Sequence, residues 1–183
     1  MLDGDSVSHT KGWIFGYKLH MTSSTGSLIV PLSADFTQAD VQDNQIYPAI
    51  TYPLPQGVWY MAAADSGYDD YKLHNLSTDR RGFELVCPVS QIYNNTSSDR
   101  LQLIEFYESE LGQVIIYSWR SISVEPLIEH IKDVFKIDPL QVRIYQKVAG
   151  LVLLSTLLYQ IIVYYNCKTH KEYPKAIKHM LGS

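Results

Sequence analysis

The sequence predicts an α/β chain with strands early and helices late, and three observations carry that prediction. Residues 13–21 alternate with a period of two, Trp13, Phe15, Tyr17, Leu19 and Met21 on one side and Ile14, Gly16, Lys18 and His20 on the other. Residues 58–64 and 83–89 are short apolar runs of strand length, the first bounded by Gly57 and Asp65 and the second preceded by Gly82. From residue 124 onward, apolar residues recur at helical spacing or fill one long uncharged run.

The alternation over 13–21 is that of a strand with one buried face. Residues 22–26, TSSTG, are turn chemistry, and SLIVPL (27–32) follows as a second strand, so a hairpin is expected, with Pro31 marking its second strand as an edge. Thr37 and Asp40 resemble a helix N-cap and its partner three residues on, which predicts a short helix ending near Pro48. Residues 58–64 read as a buried strand, 69–82 as a helix stopped by Gly82, and 83–89 as another strand. Val124, Leu127, Ile128, Ile131 and Phe135 make one helical stripe.

Residues 148–165 carry no charge and approach the length needed to cross a bilayer, so a single-pass membrane protein is one rival reading. Ser155, Thr156 and Gln160 lower the hydrophobicity of the run and no comparable segment exists elsewhere, which favours a helix buried against the sheet.

At 183 residues and 46% hydrophobic, the chain suits one domain over 1–183 with a sizeable core. Cys87 and Cys167 match no metal-ligand spacing and give no disulfide framework, the six histidines show no ligand pattern, and no leader opens the chain. The expected compartment is the cytoplasm, and the Asn-x-Ser/Thr triplets at Asn75, Asn94 and Asn95 read as accidental. No glycine-rich phosphate loop is present, so nucleotide hydrolysis is not implied.

The net charge of −4 hides a gradient: eight acids and two bases in residues 1–70, five acids and nine bases in residues 120–183. The acids gather where a cation can be held and the bases where a polyanion can lie, although solvated faces of uneven sign produce the same numbers.

Two carboxylate settings stand out. Asp65 in AAADSGYDD follows an apolar strand directly, at the carboxyl end where open α/β sheets place ligands, or it starts a turn and caps the next helix. Glu125 and Lys132, seven apart on one edge of the stripe of 124–135, lie two turns from each other, as scattered surface charges also do.

Asp3 in LDGDSV, Asp65 in ADSGYD, and the series Tyr117, Arg120, Glu125 and Lys132 resemble the signature of bacterial and archaeal insertion-sequence transposases of the DDE class, in the group with a Tyr-Arg-Glu-Lys motif. KGWIFGYKLHM, ADVQDNQIY and LLSTLLYQIIVYYN are similar to further segments of that family, so the resemblance spans most of the chain. Four residues separate Arg120 from Glu125, one more than in the family motif, and it is Glu125, not Val124, that keeps the spacing to Lys132. Pro126 disfavours α geometry at Glu125, so a helix is expected to start or bend there.

The resemblance implies an RNase H-like mixed sheet flanked by helices, in which Asp3, Asp65 and Glu125 are catalytic and hold two divalent ions, magnesium or manganese. It implies metal-dependent cleavage at transposon ends and strand transfer on double-stranded DNA, both terminal inverted repeats and target. Arg120 and Lys132 would bind phosphates and Tyr117 the backbone or a base, with a homodimer in the DNA complex and no membrane partner. Against this, Tyr117 is equally a core residue and Arg120 a surface ion pair.

Only Met1 and Leu2 precede Asp3, too few for the strand that the family places there, at about 3.3 Å per residue. The expectation is a carboxyl-terminal portion of a transposase without its upstream DNA-binding region, its first strand largely missing and the chain inactive alone. A catalytically dead remnant or a DNA-binding domain is the other reading of that truncation.

Overall fold

Local sequence chemistry builds six strands and six α-helices in the computed structural model, which describes residues 6–8, 12–14, 16–89, 98–137, 142–169, 173–175 and 177. The chain divides into two compact units, Met1–Val41 with Val124–Ser183, and Gln42–Ser123. A mixed α/β composition is as expected. The described strands pair two by two.

In the first unit β1 (Ser6–Ser8) and β2 (Gly12–Ile14) pair antiparallel, and β3 (Tyr17–Ser23) and β4 (Pro31–Gln38) form the expected hairpin. The single strand predicted over 13–21 is thus two strands with different partners. The change falls next to Gly16, whose carbonyl accepts from the Ala39 amide at 3.1 Å.

The second hairpin strand also starts later than predicted, at Pro31. The Ser24 hydroxyl donates to the Leu28 carbonyl at 2.8 Å and accepts from the Val30 amide at 3.0 Å, and Gly26 takes a φ of 106°. Those bonds close 24–30 into a loop, and Pro31, which has no N–H to give, opens the strand. Thr37 is therefore no helix cap. It lies in β4, buried, with its hydroxyl 2.8 Å from His20 Nε2.

Tyr17, Leu19 and Met21 alternate onto the apolar side of the hairpin with Phe36, and α5 (Val124–Phe135) and α6 (Tyr145–Lys168) supply most of the remaining buried residues of the cluster, with Ile137 and Ile177 beyond their ends. The predicted stripe holds: Leu127 and Ile131 are buried, and Val124, Ile128 and Phe135 pack against the same cluster. Pro126 falls in the first turn of α5, where its missing N–H has no helical partner to lose.

Helix α6 buries Val148, Val152, Ser155, Tyr159, Val163 and Asn166, a spacing of three and four that marks one face. It is long and apolar enough to cross a bilayer by length and composition, yet that face is built into the core. Tyr145 donates to the Phe36 carbonyl at 2.6 Å and Gln160 to that of Pro31 at 3.0 Å, tying α6 to β4 at two levels. Ser155 and Thr156 satisfy themselves on the carbonyls four residues back.

The second unit opens with α1 (Asp43–Thr51), which runs past Pro48 instead of ending there. Burial of Tyr47, Ile50 and Thr51 outweighs the one hydrogen bond lost at the proline. Strands β5 (Met61–Ala63) and β6 (Glu84–Val86) are shorter than the runs that predicted them and pair parallel. Between them lie a 3-10 turn (Ser66–Tyr68), α2 (Tyr71–Asn75) and a π-helical stretch (Leu76–Arg81), stopped by Gly82 in the left-handed region at φ 75° as its sequence predicted. Buried Arg81 donates to the carbonyls of Thr51, Tyr52 and Leu54, fastening this stretch to the end of α1. Helices α3 (Ser98–Glu108) and α4 (Glu110–Ile122) follow.

Candidate active site at a parallel strand pair

The two faces of the β5–β6 pair are covered by different clusters. Met61, Ala63 and Val86 pack with Ile115, Ile116 and Trp119 of α4, while Ala62, Ala64, Leu85 and Cys87 pack with Tyr47, Leu73 and Phe83. Both faces being covered explains why the sequence shows continuous apolar runs here and not alternation. The Ala64 amide donates to the Val86 carbonyl at 2.9 Å, the last rung of the pair, so Asp65 leaves the sheet at its carboxyl edge.

Asp65 has extended backbone, and its Oδ1 accepts from the Gly67 amide at 3.0 Å, which starts the 3-10 turn. The capping reading of this aspartate is therefore correct, and it also fixes where the carboxylate sits. Gly67 is required. A Cβ built on it would meet Asp43 Oδ2 at 2.8 Å and Asp65 Oδ1 at 3.1 Å, so two carboxylates from different elements lean over the same glycine. Asp43 opens α1, and Asn44 beside it donates to Asp70, which caps α2 through the Lys72 amide.

The electrostatics match the geometry. Burial first, then the Asp43 and Asp65 carboxylates, push the Tyr68 phenol well above its ordinary value. Carboxylate oxygens are hard donors, and two of them crowd this one glycine.

Deeper in the unit, Asp69 pairs with Arg100 through both oxygens at 2.5 Å, a bidentate contact almost closed to solvent. Burial lowers the His74 pKa against the pull of Asp69. Burial, then Asp69, pushes the Cys87 thiol up to about 12. Imidazole and thiol are thus both neutral at pH 7 in the ion-free chain.

A family model described as Transposase DDE domain matches residues 2–161. The chain belongs to the transposase DDE domain family. No curated protein and no solved structure matches it.

Within this transposase domain the residues predicted to form the site fall in different units. Asp65, Tyr117 and Arg120 belong to Gln42–Ser123, and Glu125 and Lys132 to the other unit. Asp3 lies outside the described residues. Tyr117 on α4 is 66% exposed, which removes its reading as a core residue. Arg120 is one turn further along α4, its side chain outside what is described. Glu125 is exposed in the first turn of α5. Lys132 pairs with Glu129 at 2.8 Å on the surface of the same helix.

Two features escaped the sequence reading. Asp43 carries no signal in the sequence, and its approach to Asp65 through Gly67 is a tertiary contact that no spacing announces. Cys87 and His74, which showed no ligand pattern in sequence, lie together with Asp69.

Proposed function

We propose that this transposase domain cleaves DNA at transposon ends and joins it to target DNA, with Asp65 as a catalytic carboxylate. The observation that carries the reading is the position of Asp65: at the carboxyl edge of a parallel strand pair, fixed by the Gly67 amide, with the Asp43 carboxylate beside it.

Asp65, with Asp3 and Glu125, would hold two divalent ions, magnesium or manganese, whose chemistry is to neutralise charge on the attacking and leaving oxygens of the phosphodiester. The Gly67 amide keeps the Asp65 carboxylate aimed, and the Tyr68 phenol, which feels the charges of both Asp43 and Asp65, stays neutral beside them. Exposed Tyr117 is free to stack on a base or meet the backbone, with Arg120 one turn away to grip phosphate. Lys132 would exchange its surface pair with Glu129 for a DNA phosphate at little cost, since such pairs contribute under about 1 kcal/mol. The substrates are double-stranded terminal repeats and target DNA in the cytoplasm, bound by an RNase H-like domain acting as a homodimer.

The test is manganese-dependent nicking of a supercoiled plasmid, in the 183-residue chain and in one extended through its upstream reading frame. Nicking by the extended form, lost in Asp65→Asn, supports the reading. Nicking by Asp65→Asn at the unmutated rate, or none by either form, overturns it.

A further inference from the structure

We propose that Asp69, His74 and Cys87 form a second cation site, separate from the carboxylates at Gly67 and suited to a borderline-soft divalent ion such as zinc. The three residues come from different places: Asp69 from the loop after β5, His74 from α2, Cys87 from the end of β6. His74 Nε2 lies 3.7 Å from Asp69 Oδ1 and 3.7 Å from Cys87 Sγ, and all three ligand atoms fall within 4.8 Å of one another. A tetrahedral zinc with bonds of about 2.0 to 2.3 Å sets its ligand atoms roughly 3.3 to 3.8 Å apart. The two spacings from His74 Nε2 fit such a cage, and the one to Asp69 is too long for a strong hydrogen bond.

The arrangement fits no nucleophilic triad. A thiol activated by histidine needs the acid on the opposite ring nitrogen, whereas here acid and thiol both face Nε2, and buried Nδ1 has no partner. Convergence on one nitrogen is what a shared cation demands. The site is nearly dry, with the Asp69 side chain 1% exposed and Cys87 2%.

Charge and softness define the occupant. Ligation by the Cys87 thiolate releases its proton to solvent, and thiolate plus carboxylate then offset the two charges of a divalent ion, the imidazole remaining neutral and the Arg100 guanidinium leaving the cluster one net positive charge. Arg100 grips Asp69 through both oxygens and orients the carboxylate from outside. Sulfur and nitrogen donors disfavour magnesium, so this site and the one at Gly67 select different metals. Its consequence is mechanical: one ion ties the carboxyl end of β6 and helix α2 to the loop that carries Asp65.

The experiment uses the chelator-treated 183-residue chain carrying Cys167→Ser, in which Cys87 is the one remaining thiol. Cobalt is expected to give thiolate-to-metal charge-transfer absorption saturating at a single equivalent, displaced by zinc and untouched by excess magnesium. Zinc is expected to raise the melting temperature of this chain, and Cys87→Ser or His74→Gln to remove the shift. Absence of the charge-transfer band in the Cys167→Ser chain overturns the proposal whether or not the other variants fold.

Discussion

Among the described residues, the unit of residues 1–41 and 124–183 has one apolar cluster with eleven buried side chains, whereas the unit of residues 42–123 divides its apolar burial into clusters of five and three. Beside those smaller clusters it buries Arg81, Arg100 and the Asp69 carboxylate. The first unit draws its stability from hydrocarbon area, and its described buried polar side chains are uncharged hydroxyl and amide groups and one histidine, Ser155 and Thr156 bonded to the preceding helical turn and His20 to Thr37 across the hairpin. The second commits interior space to charged groups that hold a loop, and that loop carries Asp65. Function is expected where burial is chemically expensive.

If that contrast is right, the two units break differently. The largest effect belongs to the apolar core of the first. Ile131→Ala, at a site 1% exposed, is expected to destabilise by about 3 kcal/mol in urea denaturation while leaving the magnesium response of the chain intact. In the second unit Arg81→Met keeps the apolar stem but strands the carbonyls of Thr51, Tyr52 and Leu54, at a cost of about 2 kcal/mol. A smaller loss for Ile131→Ala than for Arg81→Met would invert the comparison.

Gly67→Ala sharpens it further. The added methyl must displace one carboxylate, so stability falls by about 1 kcal/mol while magnesium-induced stabilisation disappears, a split that a merely structural glycine does not produce.

Alkaline pH probes both units at once. Burial raises Tyr47 and Tyr159 from 10.0 to about 12, so their contribution to stability is complete below pH 10 and is lost as pH climbs towards 12. Tyr47→Phe and Tyr159→Phe should each flatten that decline, measured by urea denaturation at pH 9 and 11. The smallest effect is at Lys132→Ala: under about 0.5 kcal/mol on stability, because its pair with Glu129 is exposed, with weakened salt-dependent DNA binding as its main consequence.

Local signals were legible in the sequence. Gly82 as a helix stop, the apolar stripe of α5, the hairpin, and Asp65 at a strand end all rest on interactions within a few residues, and all hold. The register of β4 was not legible, because SLIVPL has strand composition yet loops back through bonds of the Ser24 hydroxyl. Neither was Thr37, whose hydroxyl is taken by His20 across the hairpin rather than by a helix amide. In the candidate site, Asp65 carried a sequence signal because its strand is local. Asp43, His74 and Cys87 carried none, since 22, 9 and 22 residues separate them from Asp65 and only folding brings Asp43 over Gly67 and His74 beside Cys87.

The most direct test of the central claim, the proposal that Asp65 is a ligand of a hard divalent cation, is the melting temperature of the 183-residue chain with and without magnesium. Magnesium is chosen because sulfur and nitrogen donors at Cys87 and His74 disfavour it. The account predicts a rise in the unmutated chain that vanishes in Asp65→Asn and shrinks in Asp43→Asn. A rise of equal size in Asp65→Asn would contradict it.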